Sequence, residues 1–180
     1  VSRPDLMLFD EPLSNLDAKL RELVRSELHA LHQRMGFTAV FVTHDQDEAL
    51  ALGDRMAILR GGKVEQCAPP RTVFEEPATD YVAEFIGMAN RVRLTRSDTV
   101  WTHEGGGTVS VELERGHDLV DVRVRPDDVE VRGRDAAPRA GEVQIEAAVA
   151  DAVYGGRHVD VTLDVEGGTQ LRSRGPVAAA

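Results

Sequence analysis

The stretch Leu6-Met7-Leu8-Phe9-Asp10-Glu11-Pro12-Leu13-Ser14-Asn15-Leu16-Asp17 decides how the first half of this chain is read. Four apolar residues run directly into two adjacent carboxylates. Residues 5–9 read as a buried strand, apolar on both faces, as in a parallel sheet covered by helices. A carboxylate at the C-terminal end of such a strand can reach a phosphate-bound divalent cation, and that is the natural role for Asp10. Glu11 would point to another side of the strand end and could polarise an attacking water. Pro12 would keep the Glu11 backbone out of the helical region. An apolar run ending in Asp-Glu also arises without any function, often as a helix cap, so this stretch alone leaves both readings open.

Outward from it, Ser14 can cap a helix, with Asp17 favourable in the first turn. Leu16, Leu20, Leu23, Val24, Leu28, Leu31 and Met35 recur at three- and four-residue steps and mark one apolar face. Gly36 ends it. Thr38 to Thr43 is a second continuous apolar strand, and His44 stands at its end, on the rim where ligands of open α/β sheets gather. By itself His44 reads more readily as a solvated or hydrogen-bonded loop histidine than as a functional one. Asp45, Asp47 and Glu48 beside it read as a metal cluster or, more blandly, as acids at the start of a short helix over 45–52. His29 and His32 fall off the apolar helix face and read as solvated. A third strand, a Gly61-Gly62 hairpin and two short helices near 70–75 and 79–86 follow. Cys67 reads as a small packed residue.

Composition bounds the function. The 180 residues are 42% apolar and carry a net charge of −10. Residues 1–88 hold 9 basic and 15 acidic groups, residues 89–180 hold 12 and 16, so no basic arm for nucleic acid hides in the average. The single cysteine excludes an internal disulfide and fits a reducing cytoplasm. No run approaches the roughly 20 apolar residues of a membrane span, and no secretory leader is read.

After Gly87 the texture changes to period two: 108–113, 119–124, 129–131, 143–154 and 158–165, with glycine-rich turns at 105–107, 155–156 and 167–168. These read as antiparallel strands of a small barrel or sandwich, with Trp101 and Tyr154 in its core and a frayed tail from Gly175. The expected fold class is therefore α/β over residues 1–87, then all-β over residues 88–180.

Together the motifs resemble a known family. LMLFDEP looks like a Walker B motif with its glutamate, SNLD (14–17) like a D-loop, and VTHDQDEAL (42–50) like a switch-histidine loop. In this order they resemble the ATP-binding subunits of ABC transporters. Residues 54–92 resemble the segment that joins the ATPase to a C-terminal TOBE domain in importers of the sugar, polyamine, iron and oxyanion type. VRPDDVEV (124–131) and VYGGRHVDVTLDVEGG (153–168) look like TOBE strands. The resemblance implies a partial P-loop NTPase core followed by an OB-like TOBE barrel. It implies that Asp10 helps hold Mg²⁺, that Glu11 is the general base for ATP hydrolysis, and that His44 contacts the γ-phosphate. It places Ser14, Asn15, Leu16 and Asp17 at a homodimer interface, reaching toward the partner's nucleotide. It further implies membrane-spanning permease subunits, an extracytoplasmic solute-binding protein, and a place on the cytoplasmic face of the membrane. Phe85-Ile-Gly-Met-Ala-Asn90 looks closer to polyamine, iron or phosphonate importers than to sugar importers. Cys67 departs from the pattern, where glycine is usual.

The phosphate cradle is missing. The chain has two lysines, Lys19 and Lys63, and neither follows a Walker A pattern of glycines. A signature motif and a glutamine loop are also absent. In the family all three precede Walker B, so the sequence reads as a C-terminal portion, inactive by itself. Residues 1–87 alone are expected to be marginally stable with exposed apolar strand edges, and residues 88–180 to fold independently. Two other readings stand beside this one. One is a stand-alone TOBE-type ligand-binding or regulatory module with a vestigial ATPase segment. The other is a non-transport ATPase of DNA repair or translation, which the 54–92 segment and the acidic charge disfavour.

Overall fold

A computed structural model describes residues 4–97, 100–103, 108–109, 119–133, 136–137, 139 and 142–176. The chain divides into two compact units, Val1–Ile86 and Gly87–Ala180.

The first unit opens with β1 (Leu6–Asp10), α1 (Ala18–Met35) and β2 (Thr38–Val42). β1 and β2 pair in parallel, Leu6 opposite Thr38 through Asp10 opposite Val42, with α1 as the crossover. The expectation of a strand buried on both faces is corrected. Met7, Phe9, Ala39 and Phe41 are half-buried on one face, where the Phe9 and Phe41 rings meet in a tilted pair with centroids 5.4 Å apart. The opposite face is bare: Leu6, Leu8, Val40 and Val42 are 48%, 74%, 48% and 51% exposed. Two strands cannot cover each other's faces, so apolar side chains remain in water there. The apolar stripe of α1 is likewise only partly used, because Leu20, Leu23 and Met35 are exposed and no residue of the helix is buried.

The caps of α1 explain its bounds. Asp17, not Ser14, is the N-cap, its carboxylate accepting from the Lys19 and Leu20 amides at 3.1 and 3.0 Å. Ser14 belongs to the preceding turn, where its hydroxyl donates to the Glu11 carbonyl at 2.9 Å. Gly36 closes the helix in the left-handed region at φ 61°, as its sequence position requires. α2 (Gln46–Leu52) is capped by Asp45. β3 (Met56–Arg60) and β4 (Lys63–Ala68) form a hairpin over Gly61 and Gly62, both at positive φ. α3 (Pro70–Glu75) and α4 (Asp80–Phe85) complete the unit. Its buried apolar side chains are Leu13, Met56, Ile58, Val73, Val82, Ala83 and Ile86. Cys67 is exposed rather than packed, and His32 is half-buried with its ring edge-on to Phe37 at 5.1 Å.

The second unit holds β5 (Asn90–Ser97), β6 (Val100–His103), β7 (Thr108–Val109), β8 (Leu119–Val124), β9 (Ala147–Tyr154), β10 (His158–Val165) and β11 (Thr169–Pro176). They form an antiparallel four-stranded sheet, β7-β6-β5-β8, and a three-stranded meander, β11-β10-β9. Both sheets are open among the described residues. Val92, Leu94, Trp101, Leu163, Val165 and Leu171 from both sheets make one core. Asn90 pins the sheets together: its buried amide donates to the Arg172 carbonyl at 2.7 Å and accepts from the Arg172 amide at 2.6 Å.

Several expectations here need correction. Residues 129–131 are not a strand. A 3₁₀ turn at Pro126–Asp128 precedes them, and the Val129 carbonyl accepts from the Ser173 hydroxyl instead of a ladder. Tyr154 is 68% exposed at the end of the edge strand β9, not in the core. Residues 175 and 176 are not frayed, since Gly175 and Pro176 pair with Val159 and His158. The strand expected at 108–113 and the turn at 105–107 lie largely outside the described residues.

Candidate functional site

The parallel register of β1 and β2 puts Asp10 opposite Val42 and thereby brings their following loops side by side. The Glu11 amide donates to the Val42 carbonyl at 2.8 Å, extending the ladder by one bond. Glu11 then turns out of the sheet at φ 43°, the one non-glycine residue at positive φ among those described. At that φ Glu11 lies outside the right-handed helical region that Pro12 disfavours, and outside the extended region as well. A left-handed glutamate costs on the order of 1 kcal/mol and is retained only where its surroundings dictate it. The Ser14 hydroxyl and amide both engage the Glu11 carbonyl, at 2.9 and 3.2 Å, and supply that restraint.

The result is a pair. His44 Nδ1 lies 3.2 Å from Glu11 Oε1. Asp10 stands one residue away, on the exposed sheet face with Leu8. The Glu11 and His44 side chains are 47% and 73% exposed, so their contact adds little to stability. An imidazole that meets a carboxylate through Nδ1 presents Nε2 on its opposite side. A carboxylate and an imidazole ring thus stand together, largely exposed, at one strand rim.

Asn15 and Asp17 are exposed and Leu16 half-buried, in the turn between β1 and α1. Asp17 spends a carboxylate oxygen on the helix cap. The metal-cluster reading of Asp45, Asp47 and Glu48 is set aside. Asp45 caps α2 through the Asp47 and Glu48 amides at 2.9 and 3.2 Å, and Glu48 turns inward. Among the described residues no three His, Cys, Asp or Glu side chains are grouped to hold a metal ion. Asp10 thus offers a single carboxylate. That donor set does not make an all-protein cage, but it fits Mg²⁺, which is commonly held by one or two carboxylates together with phosphates and water.

Sequence reading missed the polar contacts that Glu48 and Arg21 make beside the His44 loop. Glu48 is 3% exposed and accepts from the Thr43 hydroxyl at 2.6 Å. Arg21, from α1, reaches the same place. Only a carboxylate at the fourth residue from His44 and an arginine in the first turn of α1 could have hinted at them.

Comparison with known proteins now defines the class. Residues 122–180 match the TOBE domain family. The chain is 39% identical over 179 residues to an Fe(3+) ions import ATP-binding protein of Rhizobium meliloti (strain 1021), covering 94% of this chain and 48% of that protein. It is 47% identical over 131 residues to an sn-glycerol-3-phosphate import ATP-binding protein of Jannaschia sp. (strain CCS1), covering 71% and 38%. It is 36% identical over 188 residues to a spermidine/putrescine import ATP-binding protein of Frankia alni, covering 95% and 40%. The chain belongs to the family of ABC importer ATP-binding subunits with a TOBE domain. It spans about half the length of the curated relatives it matches. Among the described residues no helix is long and apolar enough to cross a membrane.

Proposed function

We propose that this chain is the C-terminal portion of an ATP-hydrolysing subunit that powers solute import. Residues 1–87 are the end of its P-loop ATPase domain, and residues 88–180 an OB-like TOBE domain. The observation that carries the reading is the 3.2 Å approach of His44 to Glu11 at the rim that also bears Asp10. Glu11 orients and deprotonates the attacking water. His44 steadies the Glu11 carboxylate through Nδ1 and contacts the γ-phosphate from its other edge. Asp10 would hold Mg²⁺, which when bound would supply charge to offset that of the phosphate oxygens. Ser14, Asn15, Leu16 and Asp17 lie where a second copy of the subunit meets this one. Permease subunits, fed by an extracytoplasmic solute-binding protein, receive the motion at the inner face of the membrane.

The glycine-rich cradle and lysine that grip phosphates are supplied by residues preceding Val1. The test is direct. The DNA upstream of Val1 is expected to encode an in-frame Walker A loop and signature motif, and the 180-residue chain is expected to hydrolyse no ATP. Robust turnover by this chain, lost on Glu11→Gln, would overturn the division of the site. The cargo belongs to the relatives by name only, and iron, glycerol phosphate and polyamine all occur among them. The stand-alone binding module gains no support from Glu130 and Glu142 of the second unit. Both are taken up by Arg139, and Glu142 also by Arg132.

A further inference from the structure

We infer that Arg21 and Glu48 are positioning residues that lock the His44 loop to the Leu16 turn, so that the two move as one body. The inference rests on the functional reading above but stands on its own contacts. Arg21 projects from the first turn of α1 and makes contacts in three directions. Its Nη2 donates to the Leu16 carbonyl at 3.0 Å. Its Nη1 lies 3.5 Å from Asp45 Oδ2, and its Nε 3.9 Å from Glu48 Oε1. The Nε is buried without a hydrogen-bond partner, so this last contact is the loosest of the set.

Glu48 supplies the other half. At 3% exposure it is the most buried charged side chain among the described residues. A buried carboxylate is kept only when it is paired and hydrogen-bonded. Its Oε2 accepts from the Thr43 hydroxyl at 2.6 Å, and the Thr43 Oγ1 accepts from the Asp45 amide at 3.0 Å. His44 sits between Thr43 and Asp45, so its backbone is held on both sides. Through Arg21 the same cluster grips the carbonyl of Leu16. Fixing one loop therefore fixes the other, without either Arg21 or Glu48 reaching the exposed face where Glu11 and His44 meet.

Lysine cannot replace Arg21, because one ammonium group cannot span Leu16, Asp45 and Glu48 together. The test uses the 180-residue chain labelled with ¹⁵N. Arg21→Lys and Glu48→Gln are compared with Leu28→Ala, which trims packing on α1 and touches none of the polar set. Expected are changed His44 Nδ1 and Leu16 and Asp45 amide signals in the first two variants, and an unchanged pattern in the third at equal or greater loss of thermal midpoint. In the ATP-hydrolysing subunit, Arg21→Lys should lower kcat by about 10- to 100-fold at unchanged KM for ATP. Signals that follow thermal midpoint alone, whichever residue is changed, would reduce the cluster to a stability element and overturn the inference. Changed signals with no ATP hydrolysis by the longer subunit would keep the coupling and sink the functional reading instead.

Discussion

His44 Nδ1 and Glu11 Oε1 stand 3.2 Å apart although 32 residues separate them in sequence, and a single feature brings them together. β1 and β2 are parallel and in register, so both chains leave the sheet at the same rim. Because the two side chains are largely exposed, changing either should leave stability within about 0.5 kcal/mol. Urea unfolding of Glu11→Gln and His44→Ala should show unchanged midpoints, and a large loss would mark the pair as structural.

The bare face of β1 and β2 has a measurable consequence. Leu8→Ser and Val40→Thr remove apolar surface from water without opening a core. They should reduce concentration-dependent association of the chain, read by light scattering, at unchanged helix content. Limited proteolysis should cut within residues 1–86 first and leave a fragment of residues 87–180, whose core is closed by both sheets.

Asn90 carries a stability prediction for the second unit. Asn90→Ala leaves both the amide and the carbonyl of Arg172 without their partner at a buried site. Losing two such bonds costs about 2–4 kcal/mol. The expected readout is a lower urea midpoint at unchanged slope. A loss of unfolding free energy below about 0.5 kcal/mol would show that other groups satisfy the Arg172 backbone.

Acid should weaken the same unit. Hydrogen bonds from Arg91 first, then Arg93, hold the Asp121 carboxyl below its ordinary pKa, and Arg174 does the same for Asp160. A lowered carboxylate pKa stabilises the fold above its unfolded value near 3.9, and that contribution is lost as pH falls through the folded value. Stability should therefore decline below about pH 4, less steeply in Asp121→Asn and Asp160→Asn. Both pairs are solvent-exposed, so salt should shrink the effect.

Much of this was legible in the sequence where one periodicity dominates. β8 and β10 coincide with the alternating runs Leu119–Val124 and His158–Val165. β11 was hidden because Ser173 and Gly175 occupy alternate positions that a hydrophobic pattern would fill. Residues 129–131 alternate yet form no strand, because the 3₁₀ turn and the Ser173 hydroxyl claim their backbone. In the site, Asp10, Glu11 and His44 were readable as strand ends. Arg21 and Glu48 were not, since their meeting depends on how α1 and α2 pack. The left-handed Glu11 runs against the rule for residues before proline, which the Ser14 turn overrides.

The central claim is that Glu11 is the general base of a nucleotide site completed by residues preceding this chain. Steady-state ATP hydrolysis by the full subunit, wild type against Glu11→Gln, tests it most directly. The account predicts a fall in kcat of about 10²- to 10⁴-fold with KM for ATP unchanged. Turnover that persists undiminished in Glu11→Gln would contradict it.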